Sequence, residues 1–214
     1  MHTDELIDAL ARNLEPVAYR APYRRLILPM LLGGAGSLIM LLSLLGVRPD
    51  LRDAVLTPHF WIKLGALLAM LFAAFAAVDE VARPESSGRR AARYVWLVVA
   101  FGLVGAAAQL VRLNPGEIGS AWLGRGSAIL CPIRILILSA PAFLGIAWGF
   151  RKLAPTDLHS AGLFAGLLAG AVGAAAYSLF CRSYSPVYIL TWYGLGVSTV
   201  AAFGFMLGPR ILRW

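Results

Sequence analysis

Charged residues are scarce in this chain, and acidic residues are missing from its long apolar runs. Of its 214 residues, 14% are charged and 59% are hydrophobic, which is far from the balance of a soluble globular domain. The lack of acids within the apolar runs argues against a proton-coupled transporter. The motifs of metalloproteases, serine hydrolases and phosphate-binding loops are also missing, so the sequence does not predict an enzyme.

Cysteine is equally scarce, since only Cys131 and Cys181 occur. No Cys-x-x-Cys is present, which disfavours a membrane thiol oxidoreductase, because such a relay needs more cysteines than two. The midpoint of positions 131 and 181 is 156, inside the short polar turn 151–159 that joins two apolar runs. Residues equidistant from the turn of an antiparallel helical hairpin lie level, so we expect the two thiols at the same depth and on the same side.

Each thiol has an arginine close to it in the sequence, Arg134 after Cys131 and Arg182 after Cys181. A nearby cation stabilises the thiolate, which is the reactive and metal-binding form of cysteine. The alternative is a purely structural role, in which the two cysteines are small buried hydrophobic residues of an apolar chain. Their level placement favours a functional pair that is either oxidised or binds a soft metal ion.

Six apolar runs have the roughly 20 residues that a bilayer-spanning helix needs. They predict an all-α membrane protein, a bundle of six transmembrane helices occupying residues 26–214, with 1–25 as a separate N-terminal segment. The predicted spans are residues 26–46, 56–78, 94–111, 127–150, 160–180 and 187–207.

Lys and Arg are distributed unequally between the two sets of loops, and cytoplasmic loops carry the excess. One set, which includes both termini, holds more than twice as many as the other. Its members are Arg12, Arg20, Arg24, Arg25, Arg83, Arg89, Arg90, Arg93, Arg151, Lys152, Arg210 and Arg213. The bias predicts cytoplasmic termini and outward-facing cysteines. The net charge of +8 is largely this excess, and it does not indicate direct nucleic-acid binding.

The N-terminal segment contains a predicted amphipathic helix, Thr3–Leu14. Thr3 can cap it, and Pro16 ends it. One face is apolar and comprises Leu6, Ile7, Leu10 and Leu14. The helix either lies on the membrane or the bundle, or docks to a protein. Because it is acid-rich and lacks aromatic residues, a protein partner is favoured over an anionic lipid surface.

Two further features lie within the spans. The residues Gly162, Gly166, Gly170 and Ala174 fall on one face of the fifth span and predict a packing seam for a neighbouring helix. If the fourth span packs there, the two cysteines are drawn together. Lys63, inside the second span, is read equally as a membrane anchor or as a functional residue.

Taken together, the six spans, the words Thr-Asp-Glu-Leu-Ile-Asp-Ala-Leu and Leu-Glu-Pro-Val near the N-terminus, and the lone Cys131 and Cys181 resemble the NrsF family. These are negative regulators of sigma factor F, polytopic anti-sigma factors of the bacterial inner membrane. The resemblance covers essentially the whole chain.

The resemblance implies that an extracytoplasmic-function sigma factor is held at the membrane and released under heavy-metal or oxidative stress sensed at the cysteines. No cofactor is implied beyond a transient heavy-metal ion there. The sigma-binding residues would be Asp4, Leu6, Ile7, Leu10, Leu14, Pro16 and Val17. The rival hypothesis is a small transporter or permease with incidental cysteines, which would need a polar path through the bundle.

Overall fold

The computed structural model describes residues 21–82, 89–124, 128–151 and 157–211. Across these ranges the chain is helical and contains no strand. The predicted N-terminal helix Thr3–Leu14 and its proposed binding residues lie outside the described residues.

The six predicted spans are confirmed as helices that are long and apolar enough to cross a membrane. Their boundaries agree with the sequence prediction to within a few residues at most ends. The helices are α1 Ala21–Leu44, α3 Pro58–Val81, α4 Arg89–Arg112, α6 Leu130–Phe150, α7 Leu158–Ser178 and α8 Pro186–Ile211. Two short helices, α2 Leu51–Val55 and α5 Pro115–Leu123, lie in the connections.

Several helices begin where the sequence supplies a capping residue. At the start of α7, the side chain of Asp157 accepts hydrogen bonds from the backbone N–H groups of His159 and Ser160. Helices α3, α5 and α8 start with a proline at the first helical position, directly after Thr57, Asn114 and Ser185. Proline suits this position because its missing N–H would have no partner there.

Helix α7 lies at the centre of the bundle and packs against α1, α3, α6 and α8. Its buried residues are mostly alanine and glycine, which permit close approach of neighbouring backbones. The buried side chains form two clusters. One surrounds Phe150 and the start of α7, and the other contains both cysteines and the far end of α7. We call the latter end of the bundle the cysteine end.

The partner of the glycine seam differs from the one that sequence reasoning considered. The face with Gly162 and Gly166 packs on α8, not on α6. A Cβ atom added to Gly162 would overlap the carbonyl oxygen of Gly204, and one added to Gly166 would lie 2.5 Å from that of Val200. Helix α6 meets a different face of α7 at Gly173, where a Cβ would overlap the Ser139 side chain.

The close contact at Gly162 leads to a prediction for the effect on stability of adding a single methyl group there. We expect Gly162→Ala to lower the unfolding temperature of the purified protein in detergent, because α8 must move away from α7. Overpacking of this kind costs about 1–3 kcal/mol.

The matched control is Gly65→Ala in α3, where an added Cβ would have no neighbour within 4 Å. We expect this variant to unfold at or slightly above the wild-type temperature, since alanine favours helix over glycine. Equal unfolding temperatures for the two variants would show that the α7–α8 contact is looser than described.

Candidate sensor site at the cysteine end

The two cysteines belong to one buried cluster. Cys131 lies in the first turn of α6 and is 0% exposed, and Cys181 follows the end of α7 and is 7% exposed. Both are free thiols. Because α6 and α7 are adjacent and joined by a short turn, the hairpin brings together the two residues that the sequence placed level.

Three tyrosines surround the thiols. The ring of Tyr193 packs against those of Tyr177 and Tyr188, with centroid distances of 5.5 Å and 6.5 Å. The Tyr193 hydroxyl is buried and makes no hydrogen bond within the part of the chain that the structure describes. A buried polar group without a partner is costly, so this hydroxyl marks the cluster as more than apolar packing.

Tyr193 ends a π-helical turn, Ile189–Tyr193, near the start of α8. Such turns are rare and frequently occur at functional sites. The side chain of Trp192 in the same turn donates a 2.9 Å hydrogen bond from its indole N–H to the carbonyl of Trp122 in α5. The turn therefore connects the tyrosine cluster to the loop helix that precedes α6.

The side chain of Lys63 reaches from α3 to residues 179–185, which connect α7 to α8 and which we call the cysteine loop. It is 3% exposed, and its Nζ donates hydrogen bonds of 3.0 Å to the carbonyls of both Cys181 and Ser183. The ammonium group also lies 5.0 Å from the centroid of the Tyr193 ring. The side chain of Lys63 therefore points into the protein. Sequence reasoning noticed its charge within a span but had no signal for these partners.

The two arginines predicted to accompany the thiols are at the cysteine end, but each has another partner. The guanidinium carbon of Arg134 lies 5.2 Å from the centroid of the Phe180 ring. The side chain of Arg182 is 60% exposed, and its Nε lies 3.3 Å from a carboxylate oxygen of Asp50. Among the described residues, neither arginine side chain forms a hydrogen bond with the backbone of Cys181.

A second set of contacts ties the α1–α2 connection to the cysteine loop. Arg48 donates from Nε and Nη2 to both oxygens of Asp50, at 2.9 Å and 2.7 Å, and from Nη1 to the Tyr184 hydroxyl at 2.7 Å. Its backbone N–H donates to the carbonyl of Leu179. We call Arg48, Asp50, Tyr184 and Arg182 the Arg48 latch. Bidentate arginine–carboxylate pairs have a fixed geometry, so the latch restrains where the loop can lie.

The opposite end of the bundle is held by contacts between the α6–α7 turn and α8. Arg151 donates from Nε to the carbonyl of Ile211 at 3.0 Å, and the His159 ring lies 4.8 Å from that of Phe205. Helix α8 therefore contacts the cysteine cluster at its start and the α6–α7 turn at its end. This arrangement provides a continuous structural connection between the two ends.

The latch predicts a specific pH dependence. Hydrogen bonding from Arg48 lowers the pKa of Asp50 from 3.8 to about 2, and the carboxylate in turn raises the pKa of Arg48. A lowered carboxyl pKa stabilises the fold above the unfolded-state value and ceases to do so as pH falls through the folded-state value. We expect Asp50→Asn to lower the unfolding temperature by a constant amount between about pH 5 and pH 8, with the difference shrinking below about pH 4.

The control is Asp53→Asn, which neutralises an exposed carboxylate three residues away. This substitution should leave the unfolding temperature nearly unchanged over the same range. A deficit in Asp50→Asn that stays constant down to pH 3 would show that the latch does not depend on the Asp50 charge.

Comparisons with known proteins agree with the resemblance noted in the sequence. The family model described as NrsF, negative regulator of sigma F, matches residues 10–214. The anti-sigma-F factor NrsF of Caulobacter vibrioides is 36% identical, and the alignment covers 100% of both chains. The probable anti-sigma-F factor NrsF of Azospira oryzae is also 36% identical with full coverage of both. No solved structure matches the chain significantly. The protein described here therefore belongs to the NrsF family of negative regulators of sigma F.

Proposed function

We propose that this anti-sigma factor holds an extracytoplasmic-function sigma factor at the inner membrane and releases it when Cys131 and Cys181 react with a heavy metal or an oxidant. Family membership supports the anti-sigma role and its sigma-factor partner. The observation that carries the sensing role is that two free thiols are buried in one cluster, beside Lys63 and beside the Tyr193 hydroxyl, which has no hydrogen-bond partner among the described residues.

Two chemical events at the pair are consistent with this role. In the first, an oxidant accepts two electrons, the thiols lose two protons, and a disulfide forms between the sulfur atoms, for which the Cα atoms must come within about 7 Å. In the second, a soft metal ion displaces the thiol protons and binds both sulfurs. Within the described residues no group of three or more His, Cys, Asp or Glu side chains suits a metal ion, so two thiolates would need an additional ligand.

The orientation of the chain in the membrane is part of the same proposal. The excess of Lys and Arg on the side of the termini favours cytoplasmic termini, which directs the cysteine end outward. The signal must then cross the membrane to reach the N-terminal segment.

Helix α8 is the best candidate for the moving element. It begins with the π-helical turn beside the thiols, packs on α7 through glycine, and ends at the contacts with Arg151 and His159. The fourth span, which the sequence suggested as the partner of this glycine face, meets α7 elsewhere, at Gly173. A coupling of about 1–3 kcal/mol between the two ends would change affinity for the sigma factor five- to hundredfold.

The transporter alternative has little support in the described bundle. The buried serines Ser37, Ser139 and Ser178 donate to carbonyls of their own helices, at Gly33, Ile135 and Ala175. Hydroxyl groups bonded in this way do not form a polar path between helices. The charged side chains that are buried in the described residues, Arg48 and Lys63, both bind at the cysteine end.

The sensing role predicts the behaviour of cysteine variants. We expect Cys131→Ser and Cys181→Ser, singly and together, to abolish induction of a sigma-dependent promoter by cadmium or by a thiol oxidant. Each single variant removes one of the two sulfurs that must react together.

The promoter is measured in cells that carry each variant at equal membrane abundance. Alanine at the same positions serves as a control for the serine hydroxyl and should give the same loss. Wild-type induction in both single variants and in the double variant would show that the cysteines are packing residues.

The apolar face of the predicted N-terminal helix, which comprises Leu6, Ile7, Leu10 and Leu14, is proposed as the sigma-binding surface. We expect Leu6→Glu with Leu10→Glu to reduce capture of the sigma factor a hundredfold or more, because each buried leucine contributes about 1.5–3 kcal/mol. Co-purification of the sigma factor with the membrane protein measures this.

Arg12→Glu is the matched control, since it produces the same change in net charge on the opposite side of the predicted helix. We expect it to retain most of the binding. Undiminished capture by the double leucine variant would remove this helix from the mechanism.

A further inference from the structure

We propose that Lys63 is a positioning residue of the cysteine pair: its ammonium group fixes the loop that carries Cys181 so that this thiol stays opposite Cys131. The inference rests on the proposed function only in treating the pair as the reactive site. It assigns a role to a helix, α3, that carries neither cysteine.

The geometry places Lys63 at the one part of the pair that has no regular structure. Cys131 is held within the first turn of α6, whereas Cys181 belongs to the non-helical connection between α7 and α8. The N–H of Cys181 still donates to the carbonyl of Tyr177 at the end of α7, at 3.0 Å, but residues 182–185 are not helical, so the position of the loop depends on tertiary contacts. Hydrogen bonds from Nζ to the carbonyls of Cys181 and Ser183 supply such contacts on both sides of Arg182.

The surroundings of the ammonium group explain why it stays at these carbonyls. It makes no ion pair with a carboxylate among the described residues, and Asp50, the nearby acid, is bound by Arg48 and Arg182. The faces of Tyr184 and Tyr193 lie 5.8 Å and 5.0 Å from Nζ at their centroids. Because a buried charge without partners is very costly, the two carbonyls are its principal compensation. Moving the loop away would leave the charge unsatisfied.

The loop is therefore held at two points with different chemistry. The Arg48 latch binds its two flanks, at Leu179 and Tyr184, and Lys63 binds its centre. Of these contacts from outside the loop and α7, only that of Lys63 involves the backbone of Cys181, at its carbonyl. For two groups that must react together, a displacement of about 1 Å is enough to slow the reaction up to a hundredfold.

The test separates reaction of the pair from reaction of each thiol alone. Full-length protein in isolated membranes is treated with diamide, which accepts two electrons and two protons from the thiols as their sulfurs form a disulfide. Cross-linked peptide is quantified by mass spectrometry. In parallel, N-ethylmaleimide adds to the single thiol of Cys131→Ser or Cys181→Ser protein, forming one C–S bond.

We expect Lys63→Met to slow disulfide formation by diamide roughly ten- to a hundredfold, while alkylation of each single thiol is unchanged or faster. A merely misfolded protein would instead show faster alkylation at both cysteines, equal to that in denaturing detergent. Lys63→Arg, which retains a charged donor, should fall between wild type and Lys63→Met.

Arg52→Met is the matched control, since it removes an exposed cation close to the Arg48 latch without removing a bond to the Cys181 backbone or a member of the latch. We expect it to form the disulfide at close to the wild-type rate. Wild-type disulfide formation in Lys63→Met, or equal slowing in Lys63→Arg and Lys63→Met, would overturn the proposal.

These measurements need no sigma factor, so they are independent of the promoter experiment. A slowed disulfide in Lys63→Met together with normal promoter induction in the cysteine-to-serine variants would leave Lys63 as the positioning residue and reject the sensing role.

Discussion

The close contact between α7 and α8 is the constraint on which the rest of the bundle depends. Lipid tails are as apolar as the helix surfaces, so the hydrophobic effect does not drive helices together inside a bilayer. Association there depends on helix surfaces that approach each other unusually closely. At Gly162 and Gly204 the two backbones meet with no space for a Cβ on either side. With α8 fixed on one face of α7, the other faces remain available for α1, α3 and α6.

The cysteine end is unusual within an apolar protein because it brings polar and ionisable side chains together. Three tyrosines, a buried lysine and two thiols lie together where α6, α7, α8 and α3 meet. Burying ionisable groups in an apolar bundle is costly, and such groups are kept when they serve a function. The Arg48 latch completes this end by joining the α1–α2 connection to the loop that carries Cys181.

In the proposed sensing role, detection at the cysteine end would be separated from the sigma-factor contacts by the length of the bundle. Packed helices respond to a local change by shifting as units between discrete arrangements, since their interfaces are close-packed. The π-helical turn at the start of α8 supplies a local irregularity beside the thiols, and the glycine seam beyond it presents a smooth backbone surface. This combination suits α8 to small axial or rotational shifts against α7.

The sequence alone determined the number and limits of the spans and the hairpin that brings Cys131 and Cys181 to one end, because these depend on run length and on distance from a turn. It could not determine which helix meets Gly162 or which cation meets Cys181. A span that is apolar all round does not reveal its inward face, and contacts between helices distant in the chain depend on how each is rotated. Only the tertiary structure assigned the glycine seam to α8 and brought the side chain of Lys63, not that of Arg134 or Arg182, to the backbone carbonyl of Cys181.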